Sequence, residues 1–188
     1  MTPTGLASPC GRGARRRASS LLEGPLAIVG YMGSGKSTVG RIVARELDWE
    51  LVDLDQAVAD TAGLSILEIF EASGEPHFRN LERQELLRAL DGPPNAVISC
   101  GGGVVIDPRN RAQLMQVPTV FLWEDADTLY RRTRGPGRPL RGTSYEDFAR
   151  RYAERLPYYL EVASLQIETN NRPSYRIADE ILDWLRAA

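Results

Sequence analysis

The sequence predicts an α/β protein: a five-stranded parallel sheet covered by helices on both faces. Three observations carry that expectation. Short apolar runs alternate with segments of helical apolar spacing from residue 26 to the end of the chain. A glycine-rich loop joins the first run to the first helical segment. The length, 188 residues, suits one domain with a full core and no need of staples.

The first run is Leu26-Ala-Ile-Val, read as a buried strand, and Val39, Ile42, Val43 and Leu47 mark the helix that follows. Between them, Gly30 to Thr38 satisfies G-x-x-x-x-G-K-[ST] with Gly30, Gly35, Lys36 and Ser37. Such a loop turns successive backbone N–H groups inward at a helix N-terminus, where they hold phosphate. Lys36 is the only lysine among 23 basic residues, so lysine is avoided elsewhere and kept here. A chance glycine turn does not explain that. The second strand, from Trp49, ends in Asp53 and Asp55. As residues i and i+2 of a strand they are expected on one side, at the sheet end that faces a ligand crevice.

Ser65-Ile-Leu-Glu68 reads as a capping box opening a short helix, closed by Gly74. Pro76 then starts a longer helix, on which Arg79 and Glu82 are surface neighbours. A third strand, Ala96 to Cys100, runs into Gly101-Gly102-Gly103, where a ligand can approach the backbone closely. No Walker-B aspartate ends this strand, which leaves the metal-side acid to the Asp53 and Asp55 pair. Asp107-Pro108 caps the next helix, Thr119 to Trp123 is the fourth strand, and Asp125 caps a helix ending near Arg132. Gly135 to Gly142 is a hinge-like segment bearing Arg138 and Arg141. A helix from Ser144 is expected to be disrupted at Pro157. Leu165 to Thr169 is the last strand, and Ile177, Ile181, Leu182 and Leu185 line the closing helix.

Composition narrows the partners. With 43% hydrophobic and 26% charged residues the chain is that of an ordinary globular protein. A net charge of −2 gives no electrostatic case for nucleic acid, and no apolar run approaches membrane-spanning length. Two cysteines, Cys10 and Cys100, form no disulfide framework, which points to a reducing cytoplasm. His77 is the only histidine, which weighs against zinc hydrolysis and a Ser-His-Asp triad. Residues 1–23 are rich in arginine with no acid before Glu23, and read as a disordered extension; an organellar import role stays open. The folded domain is expected over residues 24–188.

From about residue 25 onward the chain resembles the shikimate kinases, small P-loop kinases related in fold to nucleoside monophosphate kinases. The motifs that carry the resemblance are the P-loop, Asp53-x-Asp55, Phe78-Arg79-x-x-Glu82, Gly101 to Gly103, Arg138-Pro-Leu and Arg155-x-Pro-x-Tyr159. The resemblance implies the strand order 2-3-1-4-5, a mobile lid, and ATP-dependent phosphorylation of the shikimate 3-hydroxyl in aromatic amino-acid biosynthesis. It implies ATP on Gly33, Ser34, Gly35, Lys36, Ser37 and Thr38, with Mg²⁺ on Ser37 and, through water, on Asp53. Asp55 would be the base, Lys36 and Arg138 would act on the phosphates, and Arg132 and Arg172 would flank the adenine. Arg79, Gly101, Gly102, Gly103 and Arg155 would bind shikimate, with Glu82 orienting Arg79. Two converging guanidinium groups would repel one another unless an anion lay between them, so Arg79 and Arg155 are both expected on the shikimate carboxylate. A monomer is expected.

Two other readings start from the same P-loop. A gluconate or nucleoside monophosphate kinase is disfavoured by the glycine triplet together with Arg155-x-Pro-x-Tyr159. A non-catalytic sensing module should have lost Lys36 or Asp55, and both are present.

Overall fold

A computed structural model describes residues 24–133 and 144–187. The extension at residues 1–23, Arg138, Arg141 and the lid segment therefore lie outside the described residues.

Five parallel strands form one sheet in the order β2-β3-β1-β4-β5. They are β1 (Leu26–Val29), β2 (Glu50–Asp53), β3 (Ala96–Ser99), β4 (Thr119–Trp123) and β5 (Leu165–Glu168). The helices are α1 (Lys36–Leu47), α2 (Leu54–Ala62), α3 (Ile66–Leu90), α4 (Pro108–Leu114), α5 (Ala126–Arg132), α6 (Tyr145–Val162) and α7 (Ser174–Arg186). A short 3₁₀ turn, Val104–Ile106, follows the glycine triplet.

Alternation along the strands divides the core in two. Leu26 and Ile28 of β1 join Val120 and Leu122 of β4 beneath α1 and α7. Ala27 and Val29, with Phe121, point to the opposite face and pack with Phe148, Tyr152 and Tyr159 of α6. Central strands buried on both faces read as continuous apolar runs, which is why β1, β3 and β4 stand out in the sequence. Each fully buried Leu, Ile or Val contributes about 1.5–3 kcal/mol. The edge strands β2 and β5 are more exposed, as only one neighbour covers them.

Two local readings change. Asp55 is not on a strand: β2 ends at Asp53, and Asp55 lies in the first turn of α2, a helix not expected from the sequence. The cause is the Asp53 side chain, which accepts from the Asp55 N–H and ends the strand as an N-cap. Pro157 does not disrupt α6, which runs on to Val162. Its last turns are held by burial of Tyr159 and Val162, which outweighs the hydrogen bond a proline forfeits. The break at Gly74 is where the sequence puts it: its backbone leaves helical geometry at φ 76°, ψ 173°, so α3 is two helical stretches meeting at a kink, with Pro76 just beyond it. The capping box at Ser65 and Glu68 is present in both directions.

Candidate active site

The carboxyl ends of β1, β2 and β3 open on a cavity of about 590 Å³. Its walls include Lys36, Ser37 and Thr38 of α1, Asp53 and Asp55, Arg79 and Glu82 of α3, Gly102 and Gly103, Arg132 and Arg155. Residues spread from one end of the domain to the other thus share one space.

At one end is the phosphate loop. Gly35 caps α1 at φ 90°, a left-handed conformation costly for any residue with a Cβ. The Lys36 ammonium donates to the Tyr31 carbonyl at 3.0 Å, holding the loop closed on itself. The Ser37 hydroxyl donates to Asp53 Oδ2 at 2.6 Å and lies 3.1 Å from Ser99 Oγ. Hard oxygens at this corner fit Mg²⁺, which takes one or two protein ligands and completes its shell with phosphates and water. Ser99 was not read from the sequence as a site residue; its place at the end of a strand beside a P-loop is the signal.

At the other end charged side chains crowd the glycine triplet. Arg79 pairs with Glu82 at 2.7 Å and with Glu75 at 2.9 Å, and its guanidinium lies where a Cβ on Gly103 would be. A Cβ on Gly101 would meet Glu82 Oε1 at 2.6 Å and Asp55 Oδ1 at 2.7 Å. Both carboxyl oxygens therefore crowd the point that a Gly101 side chain would occupy. Glu82 is 1% exposed, and its Oε1 has no hydrogen-bond partner among the described residues. Burial pushes its carboxyl above the usual range, against the downward pull of Arg79. Burial draws the Arg79 guanidinium down, but Glu82 and Glu75 outweigh it and hold Arg79 above its ordinary value. Arg155 Nη1 donates to the Gly102 carbonyl at 3.3 Å and lies over the Tyr31 ring. The Tyr159 hydroxyl donates to that same carbonyl.

The pairing of Arg79 bears on one argument. With Glu82 and Glu75 both on its guanidinium, charge repulsion alone does not call for an anion between Arg79 and Arg155. Glu75 supplies the second carboxylate; four residues before Arg79 on a helix, it was legible as an i,i+4 partner. Arg132 lies in the cavity wall and pairs with Glu124 at 3.1 Å. Arg172 is not among the cavity's lining residues: it pairs with Glu180 at 2.6 Å and with the Glu168 carbonyl. Cys100 is buried in the wall, and burial raises its thiol far above the ordinary value, so it stays protonated.

A P-loop on the central strand of a 2-3-1-4-5 parallel sheet, opening on a cavity with an acid and paired arginines opposite, defines a P-loop small-molecule kinase fold. Comparison with known proteins narrows the class. The family model described as Shikimate kinase matches residues 32–186, and the chain belongs to the shikimate kinase family. A shikimate kinase of Persephonella marina is 36% identical over 162 residues, covering 85% of this chain and 97% of the relative. The solved structure of shikimate kinase from Acinetobacter baumannii in complex with shikimate superposes with a TM-score of 0.82 at 32% identity, covering 91% of this chain and 98% of that one. A gluconokinase from Sinorhizobium meliloti, 16% identical at a TM-score of 0.55 over 88% of this chain and 93% of its own, shares the fold alone.

Proposed function

We propose that the protein transfers the γ-phosphoryl group of ATP to the 3-hydroxyl of shikimate, with Mg²⁺, in aromatic amino-acid biosynthesis. The observation that carries this reading is the meeting of the phosphate loop with Asp55, Arg79 and Arg155 in one cavity. Phosphoryl transfer needs positioning and charge neutralisation more than covalent help from the protein. Lys36 serves it by exchanging the Tyr31 carbonyl for phosphate oxygens. Ser37 and Asp53 would hold Mg²⁺, which when bound neutralises charge on the transferring group. Arg138 is assigned to the same phosphates, and Arg132 and Arg172 to the adenine.

Asp55 takes the proton of the acceptor hydroxyl as its oxygen bonds to phosphorus and the bond to ADP breaks. Arg79 and Arg155 present N–H donors suited to the planar carboxylate of shikimate. Glu82 and Glu75 fix Arg79, and the Gly102 carbonyl fixes Arg155. The bare Cα of Gly101 lets the Asp55 and Glu82 carboxyl groups come this close to the triplet, which a side chain there would prevent.

We assign the activity to residues 24–188 acting as a monomer; deletion of residues 1–22 is expected to leave turnover unchanged. A coupled ADP-release assay with shikimate, gluconate, AMP and CMP tests the acceptor. ADP formation should depend on shikimate. Turnover with one of the others and not with shikimate overturns the assignment.

A further inference from the structure

A carboxylate withdrawn from water must be held by partners, and what holds it shows its task. Glu124, the residue after β4, is 1% exposed. Its Oε1 accepts from the Asp125 N–H at 3.1 Å. Its Oε2 accepts from the Thr169 hydroxyl at 3.1 Å and from Arg132 Nη2 at 3.1 Å. Its backbone carbonyl takes the Tyr152 hydroxyl at 2.9 Å. One side chain thus ties the start of α5, its last residue and the end of β5 together.

The other end of this connection reaches the phosphate loop. A Cβ placed on Gly33 would lie 3.6 Å from Arg132 Cβ and 2.8 Å from Thr133 Cγ2, so the end of α5 packs on the loop itself. Arg132 then enters the cavity wall while still bound to Glu124. The Thr169 carbonyl also accepts the Arg172 N–H at 2.7 Å, so the backbone that carries Arg172 hangs from the same corner. An unpaired guanidinium beside a phosphate loop is drawn to phosphate. One whose edge is taken by a buried carboxylate has its charge partly met, and offers its flat face instead.

We propose that Glu124 is a positioning residue for nucleotide selection. It holds Arg132 with its edge occupied, so that Arg132 meets the flat base of the nucleotide and not its phosphates. This rests on the reading of the cavity as a nucleotide site.

The test is binding of ADP and of inorganic tripolyphosphate to the full chain, without acceptor, by calorimetry. The variants are Glu124→Gln, Arg132→Met, the double variant and Thr169→Val. Glu124→Gln and Arg132→Met should each weaken ADP about three- to tenfold, the worth of a cation on a flat ring; tripolyphosphate should stay within about twofold in Arg132→Met and bind as tightly or more tightly in Glu124→Gln, where Arg132 is released towards phosphate. The double variant should be no weaker than Arg132→Met, and Thr169→Val should bind like the unaltered chain. If Arg132→Met loses ADP and Glu124→Gln does not, positioning is wrong while the nucleotide site stands. If neither loses ADP, the assignment of Arg132 to the base falls with the proposal. Parallel loss of ADP and tripolyphosphate in Glu124→Gln would mean that Glu124 shapes the phosphate loop, which also overturns it. So would a Thr169→Val loss equal to that of Glu124→Gln, because the corner's packing would then be the cause.

Discussion

The two ends of the cavity are built by different means. The phosphate end is mostly backbone: one unbroken stretch, Gly30 to Thr38, turned by its glycines and closed by Lys36 on the Tyr31 carbonyl. The acceptor end is side chains from separate elements, with Asp55 on α2, Arg79 and Glu82 on α3 and Arg155 on α6 gathered round Gly101 to Gly103. A site made of backbone is fixed by local sequence and tolerates few changes. A site made of paired charges depends on the partners that hold each one, so its losses should be graded.

Lys36→Met should break the first end outright. Phosphorylation is expected to disappear with the melting temperature nearly kept, because the ammonium meets a loop carbonyl and not the core; near-normal turnover at saturating ATP would refute the role. Asp55→Asn should lower kcat by roughly 10²–10⁴, the usual worth of a positioned base, with acceptor affinity much less affected. A small change in single-turnover rate would reduce Asp55 to an orienting contact.

Arg155→Ala should weaken shikimate by about tenfold to a hundredfold, as expected for one lost charge-assisted contact, and leave ATP affinity almost unchanged. An analogue with hydroxymethyl in place of the carboxylate should lose little more in that variant. If the variant discriminates shikimate from the analogue as well as the unaltered chain does, Arg155 is not reading the carboxylate.

Glu82→Gln probes the acceptor end through pH. Burial raises the Glu82 carboxyl, so the folded state holds that proton more tightly than the unfolded state does. Stability should therefore fall as pH rises from the ordinary carboxylate range, near about 4.3, up through the raised value. Denaturant midpoints across that window should show the slope in the unaltered chain and a flatter profile in Glu82→Gln. Equal slopes would assign the proton elsewhere. The smallest effect belongs outside the cavity: Ser65→Ala removes the Glu68 cap and should cost about 1 kcal/mol of stability with turnover unchanged.

The same contrast explains what could be read in advance. The P-loop, the five strands and the helix caps are local patterns, and the structure has them close to where spacing puts them, with β3 and β5 each one residue shorter and β2 confined to Glu50–Asp53. The 2-3-1-4-5 order came from the family resemblance and not from spacing, and the structure has it. What was missed lies in competition between a side chain and the backbone, or in distant pairing. Asp53 ends its strand by capping α2, which moved Asp55 from strand to helix. Glu124 looks like any acid at a strand end until Arg132 and Thr169 arrive from two other elements. Glu75 was within reach of a helix-spacing argument, but only the fold shows that it shares Arg79 with Glu82.

The strand order also bears on how the molecule comes into being. β1 carries the phosphate loop and is made first, yet its ladder is completed by β3, through Leu26 opposite Val97, and by β4, through Ala27 opposite Thr119. Neither partner exists until much of the remaining chain has been synthesised, and pairings so distant in sequence are slow to close. During that interval Leu26, Ala27, Ile28 and Val29, all fully buried in the end, have only the apolar face of α1 nearby, which covers one side of the strand. The nascent chain then exposes its most apolar strand, a period of aggregation risk that ends only when the sheet assembles. Nucleotide cannot rescue the early chain, because a ligand stabilises only the state that binds it. Capacity to bind phosphate should accordingly emerge late in refolding, in step with the sheet and not with α1.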